Sequence, residues 1–225
     1  MALVSAGSYD LNVFLHGGYE PGVITVIYGP SGSGKTNICL LVAVSQAKKG
    51  HNVLFIDTEG GFSVERVKQL AGEESERVLA HLLILSPTTF REQQEAFTQL
   101  ETYLKRGISL IVVDGMTILY RLESAGKEEG ALRRANRQLA GQMRQLAGIA
   151  RKRALPVVVT NQVYRWDETI KMVGGDVLQY WSKCHLELTR ENGVRKLLLR
   201  KHRSLPEKEL AFEIVEQGIK RRGLF

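Results

Sequence analysis

Short runs rich in Val, Ile and Leu alternate along this chain with longer stretches in which apolar residues recur every three or four positions. A compact apolar run reads as a buried strand and a 3.6-residue period reads as a helix. Strands are predicted at 23–28, 52–57, 81–85, 109–114 and 156–160. Helical spacing covers 34–49, 89–105 and 130–153, and Thr89 and Glu92 are spaced as a capping box. Within the last helix, Leu132, Ala135, Leu139, Met143, Leu146 and Ala150 form the expected core-facing stripe. This alternation predicts an α/β fold: a mainly parallel twisted sheet flanked by helices. After residue 180 the pattern changes, because runs at 183–189 and 194–201 flank Glu191, Asn192 and Gly193 as a hairpin would. Residues 210–215 offer a further strand, so a C-terminal antiparallel section is expected. No repeat, low-complexity tract or linker breaks the pattern, and a single domain over 1–225 is expected.

Composition narrows the classes of partner. Hydrophobic residues make up 44% and charged residues 24%, the balance of a folded chain and not of a disordered one. A net charge of +7 favours polyanions, and nucleic acid ahead of small acidic molecules. No apolar run approaches the ~18 residues of a membrane span, and the N-terminus lacks a signal-peptide pattern, so a cytoplasmic location is expected. The two cysteines, Cys39 and Cys184, lie far apart without zinc-ligand neighbours and read as buried thiols.

The sharpest chemical signal is Gly29-Pro30-Ser31-Gly32-Ser33-Gly34-Lys35-Thr36, which satisfies G-x-x-x-x-G-K-[ST] between a predicted strand and a predicted helix. Glycines let the backbone turn its amides toward phosphates, and the positive end of the following helix adds to the attraction. Lys35 is expected at the β and γ phosphates of ATP and Thr36 at Mg²⁺. Residues 110–114 form an apolar run ending in Asp114, which would place a second metal-binding group beside Thr36. Glu59 follows the second strand at the end of the sheet where ligands of open parallel sheets bind. It suits a general base, although a solvated turn residue is the plainer reading.

Further segments occur in the order and spacing of one family. Residues 5–12 (Ser-Ala-Gly-Ser-Tyr-Asp-Leu-Asn), residues 17–22 (Gly-Gly-Tyr-Glu-Pro-Gly), Asp57-Thr58-Glu59-Gly60-Gly61-Phe62 with Glu65-Arg66, and Val159-Thr160-Asn161-Gln162-Val163 accompany the P-loop. Together they resemble the ATPase core of the RecA recombinases, specifically the archaeal RadA group, over nearly the whole chain. The resemblance implies a RecA-like P-loop ATPase core using ATP and Mg²⁺. It implies that Glu59 activates water, that Gln162 senses the γ-phosphate and relays it to DNA, and that Arg66 lies near the adenine, with Asn37 among the nucleotide contacts. Segments 121–130 and 164–175 would face DNA. The N-terminal helical domain and subunit-joining linker motif of full recombinases have no counterpart here, and the second DNA-facing segment is short. The chain is therefore similar to the family's short paralogues, which implies weak ATP hydrolysis, DNA binding and support of a main recombinase in recombination and repair. A Holliday-junction resolvase, a replicative polymerase and other copies of the chain are further implied partners. Lys201-His202-Arg203 resembles a motif of the hexameric KaiC and DnaB relatives that reaches the next subunit's ATP; a solvated basic strand end is the alternative. A non-hydrolysing regulatory module and a KaiC/DnaB-like hexamer remain alternative readings of the whole.

For DNA itself, Arg133, Arg137, Arg144 and Arg151 recur on one face of the 130–153 helix, away from the apolar stripe. A solvated face would look the same. Tyr164, Arg165, Trp166 and Lys171 in the second segment strengthen the single-stranded DNA reading, since aromatic faces stack on bases while cations follow phosphates.

Overall fold

The computed structural model describes residues 2–126, 128–166 and 169–223, with backbone alone at 164–166 and 169–171. Strands are β1 (Ile24–Gly29), β2 (Asn52–Asp57), β3 (Leu82–Leu85), β4 (Ile108–Asp114), β5 (Val157–Trp166), β6 (Thr169–Met172), β7 (Cys184–Glu191), β8 (Val194–Lys201), β9 (Lys208–Val215) and β10 (Gly218–Arg221). Helices are α1 (Tyr9–Phe14), α2 (Lys35–Lys48), α3 (Val64–Ala71), α4 (Ser75–Ala80), α5 (Phe90–Thr98), α6 (Leu100–Leu104), α7 (Ile118–Ser124), α8 (Glu129–Arg153) and α9 (Gly175–Trp181). The sheet order is β10-β9-β8-β7-β1-β5-β4-β2-β3, with β6 paired to β5 off that path. From β7 to β3 every pairing is parallel, and from β7 to β10 every pairing is antiparallel. The expected fold class holds.

Successive residues of the central strands feed opposite cores. Val53 and Phe55 of β2, Leu110 and Val112 of β4, and Ile27 of β1 pack on one side with α2. Leu54 and Ile56, Ile111 and Val113, and Ile24 and Val26 pack on the other side with α8. A strand buried on both faces must be apolar throughout, which is why these strands read as continuous runs. Each such Val, Ile or Leu contributes about 1.5–3 kcal/mol on burial, enough to dominate weak local propensities. Both cysteines are buried and, among the described residues, outside any disulfide; burial pushes the Cys184 thiol up to about 12. Among the described residues no helix is long and apolar enough to cross a membrane.

Several local expectations change. The 89–105 helix divides at Gln99, where the Thr98 hydroxyl donates to the Glu95 carbonyl and competes with the helical ladder. Thr89 caps α5 by accepting from the Glu92 amide, but the Glu92 carboxylate reaches Thr88 instead of closing a full capping box. β5 runs past residue 160 to Trp166 and folds back antiparallel as β6, so much of the 164–175 segment is a ribbon. Likewise, residues 121–124 belong to α7 and 129–130 to α8. Leu132 leaves the expected stripe at 37% exposure, because α8 begins beyond the core, whereas Ala135, Leu139, Met143, Leu146 and Ala150 are buried.

Candidate nucleotide and catalytic site

The site forms at the carboxyl ends of β1, β2, β4 and β5. Residues 30–34 join β1 to α2, and Gly34 occupies the helix N-cap at φ 109°, with no side chain capping the first turn. The first-turn amides thus remain available to an anion, where the helix dipole favours negative charge. Lys35 Nζ donates to the carbonyls of Gly29 at 3.1 Å and Pro30 at 3.0 Å. Burial pulls the Lys35 ammonium below its ordinary pKa, while Glu59 and Asp114 pull it back up. Ser33 Oγ is buried without a hydrogen-bond partner among the described residues, as suits a loop shaped around something it has yet to contact.

Asp114 closes β4 almost fully buried. Thr36 Oγ1 donates to its Oδ2 at 2.7 Å and Thr160 Oγ1 to its Oδ1 at 2.6 Å, while the Gly115 amide donates to Thr160 Oγ1 at 2.7 Å. Burial pushes the Asp114 carboxyl above its usual range, the two threonine hydrogen bonds hold it down in part, and nearby Glu59 and Asp57 push it further up. A hydroxyl and a buried carboxylate in direct contact form an oxygen donor set of the kind that hard divalent cations take. The residues present therefore fit both a triphosphate and Mg²⁺.

Glu59 stands on the turn after β2. Its Oε2 accepts from Gln162 Nε2 at 3.0 Å, which joins the carboxylate to the strand leading into the β5–β6 ribbon. Beside Gln162, Asn161 is fully buried; it accepts from the Thr117 hydroxyl and donates from Nδ2 to the Val173 carbonyl at 2.8 Å. Both segments expected to face DNA are thus tied at their bases to β5.

Arg66 is placed differently from a free ligand-binding cation. Nε donates to Asn37 Oδ1, Nη1 to Gln69 Oε1 and the Glu216 carbonyl, and Nη2 to the Val215 and Gly218 carbonyls. A guanidinium has five N–H donors, and all are engaged here, so a base could meet Arg66 only through its planar face. Its visible work is to clasp the β9–β10 turn against α2 and α3. Arg66→Ala is expected to cost about 1–3 kcal/mol. Hydrogen exchange should then accelerate at 215–218; unchanged exchange there would show that the turn holds without the clasp.

Arg133, Arg137 and Arg144 are exposed on α8, with Arg133 paired to Glu129 at 2.5 Å. The side chains of Tyr164, Arg165, Trp166 and Lys171 lie outside the described residues. Lys201 and Arg203 sit at the opposite end of the sheet from the P-loop, since β8 runs antiparallel to β7 and β7 parallel to β1. There they line a cleft of about 1320 Å³ with Arg151 and Lys183. Within this chain Lys201 donates to the Gln179 carbonyl and Arg203 to Glu20.

Sequence reading passed over Asp57, Thr58 and Thr160 as site-forming groups. The available signal was a polar residue at the end of a strand otherwise apolar on both faces, which a buried parallel sheet tolerates only where the group is hydrogen-bonded.

The Rad51 family model matches residues 1–222. A DNA repair and recombination protein RadB from Methanobrevibacter smithii is 41% identical over 216 residues, covering 91% of this chain and 90% of the relative. The RadB of Methanocaldococcus jannaschii is 40% identical over 209 residues, covering 93% and 98%. A crystal structure of the RadB recombinase superposes with a TM-score of 0.81 at 36% identity, covering 96% of this chain and 98% of that one. A family model that spans 1–222 and relatives about two-fifths identical over more than nine-tenths of the chain place it in the Rad51 family, where it groups with the RadB proteins.

Proposed function

We propose that this chain binds ATP with Mg²⁺ at the P-loop, hydrolyses it slowly, and uses nucleotide state to alter its hold on DNA during recombination and repair. The observation that carries the reading is the convergence of Lys35 and Thr36 from the start of α2, Glu59 from the turn after β2, Asp114 from the end of β4 and Gln162 from β5. The backbone amides of 31–36 and Lys35 would hold the phosphates, and Thr36 and Asp114 would hold the metal. Bound there, Mg²⁺ supplies charge neutralisation for the phosphoryl oxygens. Glu59 would take the proton of an attacking water, and Gln162, already in contact with Glu59, would report the state of the site along β5.

Support for DNA comes from the +7 charge, the exposed arginines of α8 and the names of the relatives, which are DNA repair and recombination proteins. Arg133, Arg137 and Arg144 with Tyr164, Arg165, Trp166 and Lys171 are the proposed contacts. The whole chain would work as one RecA-like unit assisting a main recombinase. Lys201 and Arg203 would serve a neighbouring copy, because they lie at the end of the sheet remote from this chain's own P-loop.

A non-hydrolysing switch is the second reading, favoured by the Gln162 hydrogen bond that already engages Glu59. Single-turnover hydrolysis and single-stranded DNA binding at several salt concentrations, with and without ATP, separate the two. The ATPase reading expects turnover that Lys35→Ala abolishes and DNA affinity that falls with salt. ATP binding without any turnover would leave the switch; no affinity for Mg-ATP would end both.

A further inference from the structure

We propose that Asp57 is the positioning residue for Glu59, an inference that rests on Glu59 being the group that activates water. Asp57 is the last residue of β2 and is 4% exposed. Oδ1 accepts from the amides of Glu59 at 3.2 Å and Gly61 at 3.1 Å, and Oδ2 accepts from the amide of Phe62 at 2.9 Å. One buried carboxylate thus gathers three amides of the turn that presents Glu59, each bond strengthened by the negative charge on the acceptor.

The other edges of that turn are fixed independently. The Thr58 amide donates to the Asp114 carbonyl at 3.0 Å, and the Thr58 hydroxyl lies 2.6 Å from the Gly115 carbonyl. Phe62 packs edge-on against buried Phe55, with ring centroids 5.3 Å apart. Asp57 lies between these anchors and, among the described residues, is the acceptor for the Glu59 amide. Its register partner across the β2–β4 pairing is Asp114, yet the two carboxylates take different partners: Asp114 takes the hydroxyls of Thr36 and Thr160, while Asp57 takes its own loop. The geometry separates a cation-facing acid from a loop-organising acid at adjacent strand ends.

The test compares Asp57→Asn, Asp57→Ala and Glu59→Gln for single-turnover hydrolysis and for Mg-ATP affinity. Asparagine keeps one acceptor oxygen and alanine keeps none, so losses should be graded. Asp57→Asn is expected to lower the hydrolysis rate about 10-fold and Asp57→Ala about 100-fold, the scale of an ångström-level misplacement. Mg-ATP affinity should stay within about twofold in both, because the groups proposed to hold the nucleotide are untouched. A merely structural role would instead lower affinity and rate together, and that result overturns the proposal. Wild-type turnover in Asp57→Asn beside an inactive Glu59→Gln overturns it as well, leaving the Glu59 reading intact. Wild-type turnover in Glu59→Gln removes the underlying reading. Asp57→Asn alone keeps the test decisive should Asp57→Ala fail to fold.

Discussion

Glu59→Gln is expected to lower single-turnover ATP hydrolysis by about 10²–10⁴-fold, the range for loss of a positioned general base. Affinity for Mg-ATP should be unchanged within about twofold. The amide preserves the size and shape of the side chain, so the turn above Gly115 has no steric reason to move. What it loses is the ability to accept a proton. It also loses the charge that receives the Gln162 hydrogen bond, so coupling between nucleotide and DNA affinity should weaken in the same variant. Single-turnover assays with and without single-stranded DNA check both effects. Full turnover in the variant would assign the base to another group and return Glu59 to an ordinary turn residue.

Gly115→Ala should be a damaging single-methyl change beside Glu59. Gly115 has φ +93°, and a Cβ built there would lie 2.4 Å from Thr58 Oγ1 and 2.7 Å from Glu59 Cγ. The backbone conformation alone costs an L-residue about 1–2 kcal/mol, and forcing the overlap apart adds about 1–3 kcal/mol. A destabilisation of about 2–5 kcal/mol in urea unfolding is therefore expected, with a large fall in turnover as Glu59 is pushed aside. Gly60 supplies the control. Its φ is +69°, but nothing lies within 4 Å of a Cβ there, so Gly60→Ala should show only the conformational cost of about 1–2 kcal/mol. Equal losses in the two variants would show that backbone strain, and not the seat of Glu59, is what Gly115 protects.

The parts of the site that could be read from the chain are those whose geometry is local. A strand, a glycine-rich turn and a helix bind phosphate through amides within a few residues of one another, so the motif from Gly29 to Thr36 carries its own structure. Strand identity was legible for the same reason, because burial on both faces demands unbroken apolar runs. Short elements were not: α9 and β10 span seven and four residues, too few for a period to declare itself. Nor was Arg66 legible as a clasp. Its partners at 215–218 lie about 150 residues away, and a solitary arginine after an acidic turn gives no hint of five simultaneous acceptors.

By itself, the order of apolar and polar residues determined an α/β sheet with an antiparallel end, and the glycine-rich P-loop pattern fell on the turn after its first strand. Only the tertiary structure decided what meets that turn. β1 lies beside β5 and β7 instead of β2, so Thr36 reaches Asp114 across 78 positions of sequence and Glu59 reaches Gln162 across 103. Strand order is settled by how all the helices can be packed on both faces at once, a property of the whole core that no local window of residues contains.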